Sequence, residues 1–447
     1  MISRVAVLAA VVLWGCGGQR LPAPDGGTPG PGSSAADAGA REARDGPLDT
    51  VVEVPVAGPY GRRTFTVHAA SNWVNSGLYL RAGEWADLSA AGAWTVDGAT
   101  AGPGGLSARG LQRGCARGAL AARSGLRFEG EITCVGEGTR YVAPRDGTVY
   151  LGMIDSTDLG EAYGDRLVLG GALQVTVDSA GDTVPALRPE EVETYPFGQV
   201  ASGEVELLGR RVAVSISTAQ AVVDGVTARA SLETLDALYE RHAALRGMVP
   251  FGGQRIRFYP DDTIGQVGYM VAGNPIRCVP ELMSGQPWQR ILRASVPETD
   301  VWGFAHELGH VFSFANGAWV FQVVNLESWP NVFTLHALQG LGRTAHQPNL
   351  GSYCNGREAY LAGGSYAPGL RDDPFLQLCF LMEFQAQHGW VFWERFWSGM
   401  NTQSNGDVGY DGNDVDRSVW SYVRDRFSEA AGQDVTPVFQ QWRVPVR

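Results

Sequence analysis

Histidine is scarce in this chain, seven residues among 447, so two that fall at metal-ligand spacing stand out against a thin background. An excess of positive charge is also missing. Lys and Arg number 35 against 47 Asp and Glu, a net charge of -12, which leaves no electrostatic footprint for nucleic acid. After the first sixteen residues no run approaches the roughly twenty apolar residues of a membrane-spanning helix. No cysteine pair has CxxC spacing, which excludes a thiolate zinc knuckle.

What is present is ample apolar material, 44% hydrophobic with 10% aromatic, over a length that predicts two folded domains plus tails. Arg4, the apolar stretch Val5 to Trp14 and the closing Leu13-Trp14-Gly15-Cys16 read as an export signal over residues 1–16. It resembles the lipobox of bacterial lipoproteins. That resemblance implies a lipid on Cys16 and a protein anchored at the outer membrane or cell surface. Residues 17–58 are rich in Gly, Pro and Ala, cannot bury enough apolar surface to order themselves, and read as a tether. Five cysteines remain, an odd number. Cys115 and Cys134 are the expected disulfide, being near in sequence and in one domain.

Residues 59–180 alternate short β-prone runs with Gly-rich turns, among them Gly77-Leu78-Tyr79-Leu80, Thr148-Val149-Tyr150-Leu151 and Leu173-Gln174-Val175-Thr176-Val177. This predicts an all-β sandwich. The order "LYLRAGEWADLSAAGAW", "YVAPRDGTVYLGMIDS", "GGALQVTV" resembles the calcium-dependent galactose-binding bacterial lectin fold, and the resemblance implies a Ca2+ site in the loop after the "YLGMIDS" strand. Asp155 falls where the first loop aspartate belongs, with Asp158 and Asp165 as further oxygen ligands, but the paired asparagines of that family are absent. Residues 181–198, with Pro185, Pro189 and Pro196, read as a linker. Residues 199–447 have another grammar, mainly helical with a small sheet near the start. Leu232, Leu235, Leu238, Tyr239, His242 and Leu245 recur at helical spacing. His242 reads as a packed or surface histidine rather than a ligand.

The chemistry concentrates in His306-Glu307-Leu308-Gly309-His310. On a helix, residues four apart share a face, so both imidazoles can converge on one metal while the glutamate reaches a water beside it. Thr299 or Asp300 can cap that helix. A catalytic zinc needs a third protein ligand and an open position; Glu327, His336, His346 and the Asp372-Asp373 pair are the candidates downstream. No histidine lies within twenty residues after His310, which argues against a metzincin. Glu327 is the nearest acid, in a segment that can be helical if Pro330 falls in its first turn.

The stretch "VWGFAHELGHVFSFANGAWVFQVVNLESWPNVFTL" resembles the enhancin-like, mucin-directed gluzincin zinc metallopeptidases of peptidase family M60. Trp302-Gly303, Trp319, Glu327 and Asn331 occupy that family's positions, and "YMVAGNPI", "LCFLMEFQAQHGWVFW" and "GQDVTPVFQQWRVPV" follow its order. Asn274 stands where the family usually has tyrosine, and Arg443 replaces a common glycine. With the β-sandwich expected over 59–180, the resemblance predicts a multidomain protein, an N-terminal all-β sandwich followed by a mainly helical α+β zincin (gluzincin) domain. It implies Zn2+ on His306, His310 and Glu327, Glu307 as general base, and protein or glycoprotein substrates, with glycans a candidate ligand of the sandwich. Tyr360, Tyr366 and His336 are candidate oxyanion donors. Two other readings stay open: a non-catalytic carbohydrate-binding or adhesion lipoprotein, and a gluzincin acting on non-glycosylated proteins or cell-wall peptides. The intact Glu307 speaks against the first.

Overall fold

The computed structural model describes residues 58–447 apart from 155–168, 281–290, 314–326, 344–352, 402–410 and the positions 70, 97, 128–129, 193, 267, 292, 297 and 412–413. Cys16, His346 and the aspartates Asp155, Asp158 and Asp165 lie outside the described residues.

The N-terminal part is β-rich. Its strands are β1 (Pro59–His68), β2 (Val74–Leu80), β3 (Trp85–Val96), β4 (Ala99–Ala101), β5 (Gly104–Gln112), β6 (Cys115–Ser124), β7 (Thr133–Cys134), β8 (Gly138–Val142), β9 (Gly147–Met153) and β10 (Leu169–Thr183). They run in the order β4-β3-β10-β2-β9-β6-β5, with β1 added on β10, β7 on β6 and β8 on β3. Strand β10 shows why. Leu173, Val175 and Val177 are fully buried, while Gln174 and Thr176 between them are exposed and part-buried and Asp178 after them is exposed, the period-two pattern of a sheet with one wet face. Cys115 and Cys134 are joined across β6 and β7.

The second half builds a six-stranded sheet from β11 (Ala186–Leu187), β12 (Glu204–Leu208), β13 (Val212–Ser217), β14 (Ile256–Pro260), β15 (Met270–Val271) and β16 (Ile276–Cys278). Their order is β11-β12-β13-β14-β16-β15, with β13, β14 and β16 parallel and β15 antiparallel at the edge. Around it lie α1 (Pro189–Val192), α2 (Thr218–Arg246), α3 (Trp302–Ser313), α4 (Ser328–Gly340), α5 (Arg357–Gly363), α6 (Pro374–His388), α7 (Trp390–Met400), α8 (Val415–Ala431) and α9 (Thr436–Gln441). No helix among the described residues is long and apolar enough to cross a membrane.

The stretch 181–198 is not a free linker. Strand β10 continues to Thr183, β11 joins the second sheet, and Pro189 opens α1, a position where its missing N–H costs nothing. Leu187, Val192 and Phe197 then anchor the stretch in the core of the second half. Those three apolar residues outweigh the prolines that suggested a linker.

The two halves meet through buried polar groups. Arg257 on β14 donates through Nε to Glu206 on β12 (2.6 Å) and through Nη1 to the Trp73 carbonyl (3.1 Å). Glu206 also accepts from Ser215 on β13 (2.8 Å) and from Asn75 on β2 (3.1 Å). Arg277 on β16 donates to the Leu126 carbonyl at 2.7 Å. The opposite face of the same strands is apolar and packs on helices, with Phe258 edge-on to Phe304 of α3 at 5.6 Å. Behind α4, Trp329 is fully buried, stacked on Phe396 at 5.7 Å and edge-on to Trp397 at 5.3 Å. Burial of that size, worth about 3–5 kcal/mol against alanine, holds α4 where the site needs it.

Candidate metal centre

Helix α3 begins where Asp300 accepts a hydrogen bond from the Trp302 backbone N–H at 3.0 Å, satisfying one of the orphan amides of the first turn. His306 and His310, one turn apart, put their rings 4.7 Å apart and nearly perpendicular (86°). Glu327 sits immediately before α4. Its Oε2 lies 2.8 Å from His306 Nε2 and 3.5 Å from His310 Nε2. His306, Glu307 and His310 are buried and form the only cluster of potential metal ligands recognised among the described residues; Glu327, half exposed, closes it from the solvent side.

The convergence depends on how closely α3 and α4 approach. A Cβ on Gly309 would stand 2.5 Å from the Pro330 carbonyl oxygen and 2.9 Å from its Cα, so only glycine lets the helices touch at that height. Pro330 falls in the first turn of α4, where helices tolerate it. One turn beyond Glu327, Asn331 is 1% exposed. Its amide lies 3.1 Å from His306 Nδ1 and 2.7 Å from the Glu327 carbonyl.

Other contacts fix the ends of α3. The fully buried His242 on α2 places one ring nitrogen 2.8 Å from the Ala305 carbonyl and the other 2.7 Å from that of Leu238. Arg246 donates to the Phe312 carbonyl at 3.0 Å. Arg343 donates to the carbonyls of Ala294, Val296 and Thr299 in the approach to the helix.

The electrostatics follow from burial and from these pairs. Burial raises the Glu307 pKa, and the neighbouring His310 and His306 pull it only partly back. Burial would also raise Glu327, but hydrogen bonds from the two histidines and their charge hold it well below the usual carboxylate range. For His306, burial opposes the charge, yet Glu327, Glu307 and Asn331 together shift its pKa upward. The buried Cys278 thiol is pushed up by burial and then by the charge of Glu307.

Two imidazole nitrogens and one carboxylate oxygen converge here, the donor set of a hydrolytic zinc site. His306 already spends Nδ1 on a protein partner, which leaves Nε2 for a metal. The donor set therefore fits the group. The other candidates from the sequence have partners of their own. The Tyr360 hydroxyl donates to the Trp442 carbonyl at 2.6 Å, and its ring stacks on that tryptophan. The Tyr366 hydroxyl accepts from Trp420 Nε1 at 2.7 Å. His336, more than two turns along α4 from Glu327, rests against Trp390 at 4.9 Å. Asp373 caps α6, accepting from the N–H groups of Phe375 and Leu376 at 2.9 Å each. Trp302 and Asn331, noticed in the sequence only as marks of resemblance, emerge as contacts of His306; their spacing, four residues before His306 and four after Glu327, was the available signal.

The sequence profile of the peptidase M60, enhancin and enhancin-like family matches residues 205–443, more than half of the chain. The chain belongs to this metallopeptidase family. Among curated protein sequences, none matches it. Solved structures share its fold at low identity. A functionally unknown conserved protein from Bacillus anthracis superposes with a TM-score of 0.59 at 14% identity, over 86% of this chain and 76% of that one. The catalytic module of the metalloprotease ZmpA from Clostridium perfringens gives 0.53 at 14%, over 87% and 78%. A metallopeptidase in complex with Tn antigen gives 0.53 at 14%, over 84% and 67%. These superpositions cover the β-rich half of this chain as well as the M60 region.

Proposed function

We propose that this M60 member is a zinc endopeptidase that hydrolyses peptide bonds in O-glycosylated, mucin-like proteins outside the cytoplasm. The meeting of His306 Nε2 and His310 Nε2 on one carboxylate oxygen of Glu327, at 2.8 and 3.5 Å, carries this reading. His306, His310 and Glu327 would hold the metal, which when bound supplies a Lewis acid that acidifies water and polarises a carbonyl. Glu307 adjoins this triad on the same helix, and burial raises its affinity for a proton, which suits a general base at neutral pH. It would take the proton of the attacking water and return it to the leaving amine nitrogen.

The glycoprotein preference is supported by the family and by the neighbour solved with Tn antigen. Export with a lipid tether on Cys16 is supported by the N-terminal segment and by two disulfides, Cys115–Cys134 and Cys354–Cys379, which persist in oxidising compartments. A lectin-like role for the β-rich half rests on its strand pattern, and calcium has no part in the proposal.

The test is zinc content and cleavage of a mucin-type glycoprotein beside its deglycosylated form. Glu307→Gln should keep zinc and lose about a hundred- to ten-thousandfold in rate, whereas Glu327→Ala should lose zinc. Equal cleavage by wild type and a folded Glu307→Gln protein would overturn the mechanism. Indifference to deglycosylation would remove the mucin preference and leave the peptidase.

A further inference from the structure

The hydrogen bonds around His306 form a chain whose polarity is set by its outer members. An indole N–H can only donate. Trp302 Nε1 lies 3.1 Å from one side-chain atom of Asn331, which must be the amide oxygen. The other amide atom lies 2.7 Å from the Glu327 carbonyl oxygen and must be the NH2 group. With the amide fixed from both sides, the atom facing His306 Nδ1 at 3.1 Å is an acceptor. Nδ1 therefore carries a proton, and Nε2, which faces Glu327 Oε2 at 2.8 Å, is the nitrogen left to offer a lone pair to a metal. Trp302 and His306 are four residues apart on one face of α3, and their rings stack at 4.7 Å with 27° between planes.

We propose that Trp302 is a positioning residue of the metal centre: by donating to Asn331 it fixes the orientation of the amide, and through it the His306 tautomer that binds metal through Nε2. The inference rests on His306, His310 and Glu327 being the ligands. A neutral amide at this place has an intrinsic ambiguity, because turned over it would offer NH2 to Nδ1 and favour the tautomer with the proton on Nε2. A carboxylate accepts in either orientation and needs no such reference. The indole, together with the Glu327 carbonyl, removes the ambiguity of the amide.

Trp302→Phe keeps a ring over His306 and deletes the donor. Metal affinity is read on the full-length protein without substrate, by competition against a chromophoric zinc chelator, and the visible spectrum of the cobalt-substituted protein reports the ligand field. Trp302→Phe should bind zinc about fivefold more weakly, a part of the loss expected for removing a direct partner of the ligand, with an altered cobalt spectrum. Adding Trp302→Phe to Asn331→Ala should change neither affinity nor spectrum further, because the amide that the indole orients is gone. A role limited to packing predicts the same loss in both backgrounds. The proposal is overturned if Trp302→Phe matches wild type in affinity and spectrum, or if it weakens a folded Asn331→Ala protein as much as it weakens wild type. Unchanged zinc affinity in Glu327→Ala would instead refute the underlying ligand assignment.

Discussion

The two faces of the six-stranded sheet are covered by different chemistry. Toward the helices, β14 and β16 present Ile256, Phe258, Ile276 and Cys278, all fully buried, and the metal-ligand candidates stand on the helix packed there. Toward the β-rich half the alternate residues are Arg257, Tyr259 and Arg277, almost as deeply buried. Apolar packing is non-directional, so it presses α3 and α4 together and leaves their fine placement to Gly309, Pro330 and the hydrogen bonds of His242 and Asn331. The polar junction is directional. A buried ion pair adds little net stability over an apolar pair of similar volume, but a misplaced partner strands a charge. The helix face thus makes room for chemistry, while the other face specifies how the β-rich half docks.

Breaking the junction should produce the largest change in stability. Arg257 and Glu206 have side-chain exposures of 2% and 1%, so Glu206→Ala leaves a guanidinium buried beside Tyr150 at 5.1 Å without its carboxylate. The expected cost is about 3–5 kcal/mol, seen as a lower midpoint in chemical denaturation, with zinc affinity of the folded protein unchanged. Replacing both partners, Glu206→Leu with Arg257→Met, should recover much of the loss. A single substitution costing under about 1 kcal/mol would show the pair to be solvated in solution, in the range of surface pairs, and the contrast between the faces would collapse.

A smaller change tests the helix face. Gly309→Ala places a methyl against the backbone of Pro330, which cannot yield as a side-chain tip can. The α3–α4 contact must open, at about 1–3 kcal/mol, with weaker zinc binding because Glu327 moves away from the histidines. Gly399→Ala on α7 is the control. Nothing lies within 4 Å of its added Cβ, so it should be neutral or stabilising by about 0.5–1 kcal/mol. Calorimetry and metal titration of the two variants decide whether close approach, rather than helix propensity, makes Gly309 necessary.

Much of this was readable in advance because periodicity and local caps carry it. Asp373-Pro374 and Gly389 mark both ends of α6, Asp300 opens α3, and Glu327 stands one residue before a helix that accepts Pro330. The polar junction was not readable. Glu206, Arg257 and Arg277 alternate with apolar residues, as they would on a strand with one wet face, and no local signal says that a second domain dries that face. The same ambiguity let three prolines disguise 181–198 as a linker. Tyr360 and Tyr366 suggested themselves as oxyanion donors by residue type alone. Trp442 and Trp420, which engage them, are remote in sequence.

Acid tests the contrast by a gradual change rather than a step. Burial and the neighbouring Arg241 charge push His336 down to about 4, and burial pushes His242 to about 4 as well, below the roughly 6.5 of a free imidazole. Between those values the unfolded chain binds protons that the folded protein refuses. The stability that these two histidines contribute therefore falls as pH drops from about 6.5 toward 4 and levels off below. Both histidines belong to the helix side, whereas Arg257, whose pKa is held up by Glu206 against burial, keeps its charge throughout the window. His336→Gln should flatten part of the decline, measured as melting temperature against pH on metal-free protein, where the other titrating groups are common to both proteins and largely cancel in the difference. Identical slopes for wild type and His336→Gln would mean that His336 titrates normally in the fold, and the greater acid sensitivity of the helix side would then have to come from His242 alone.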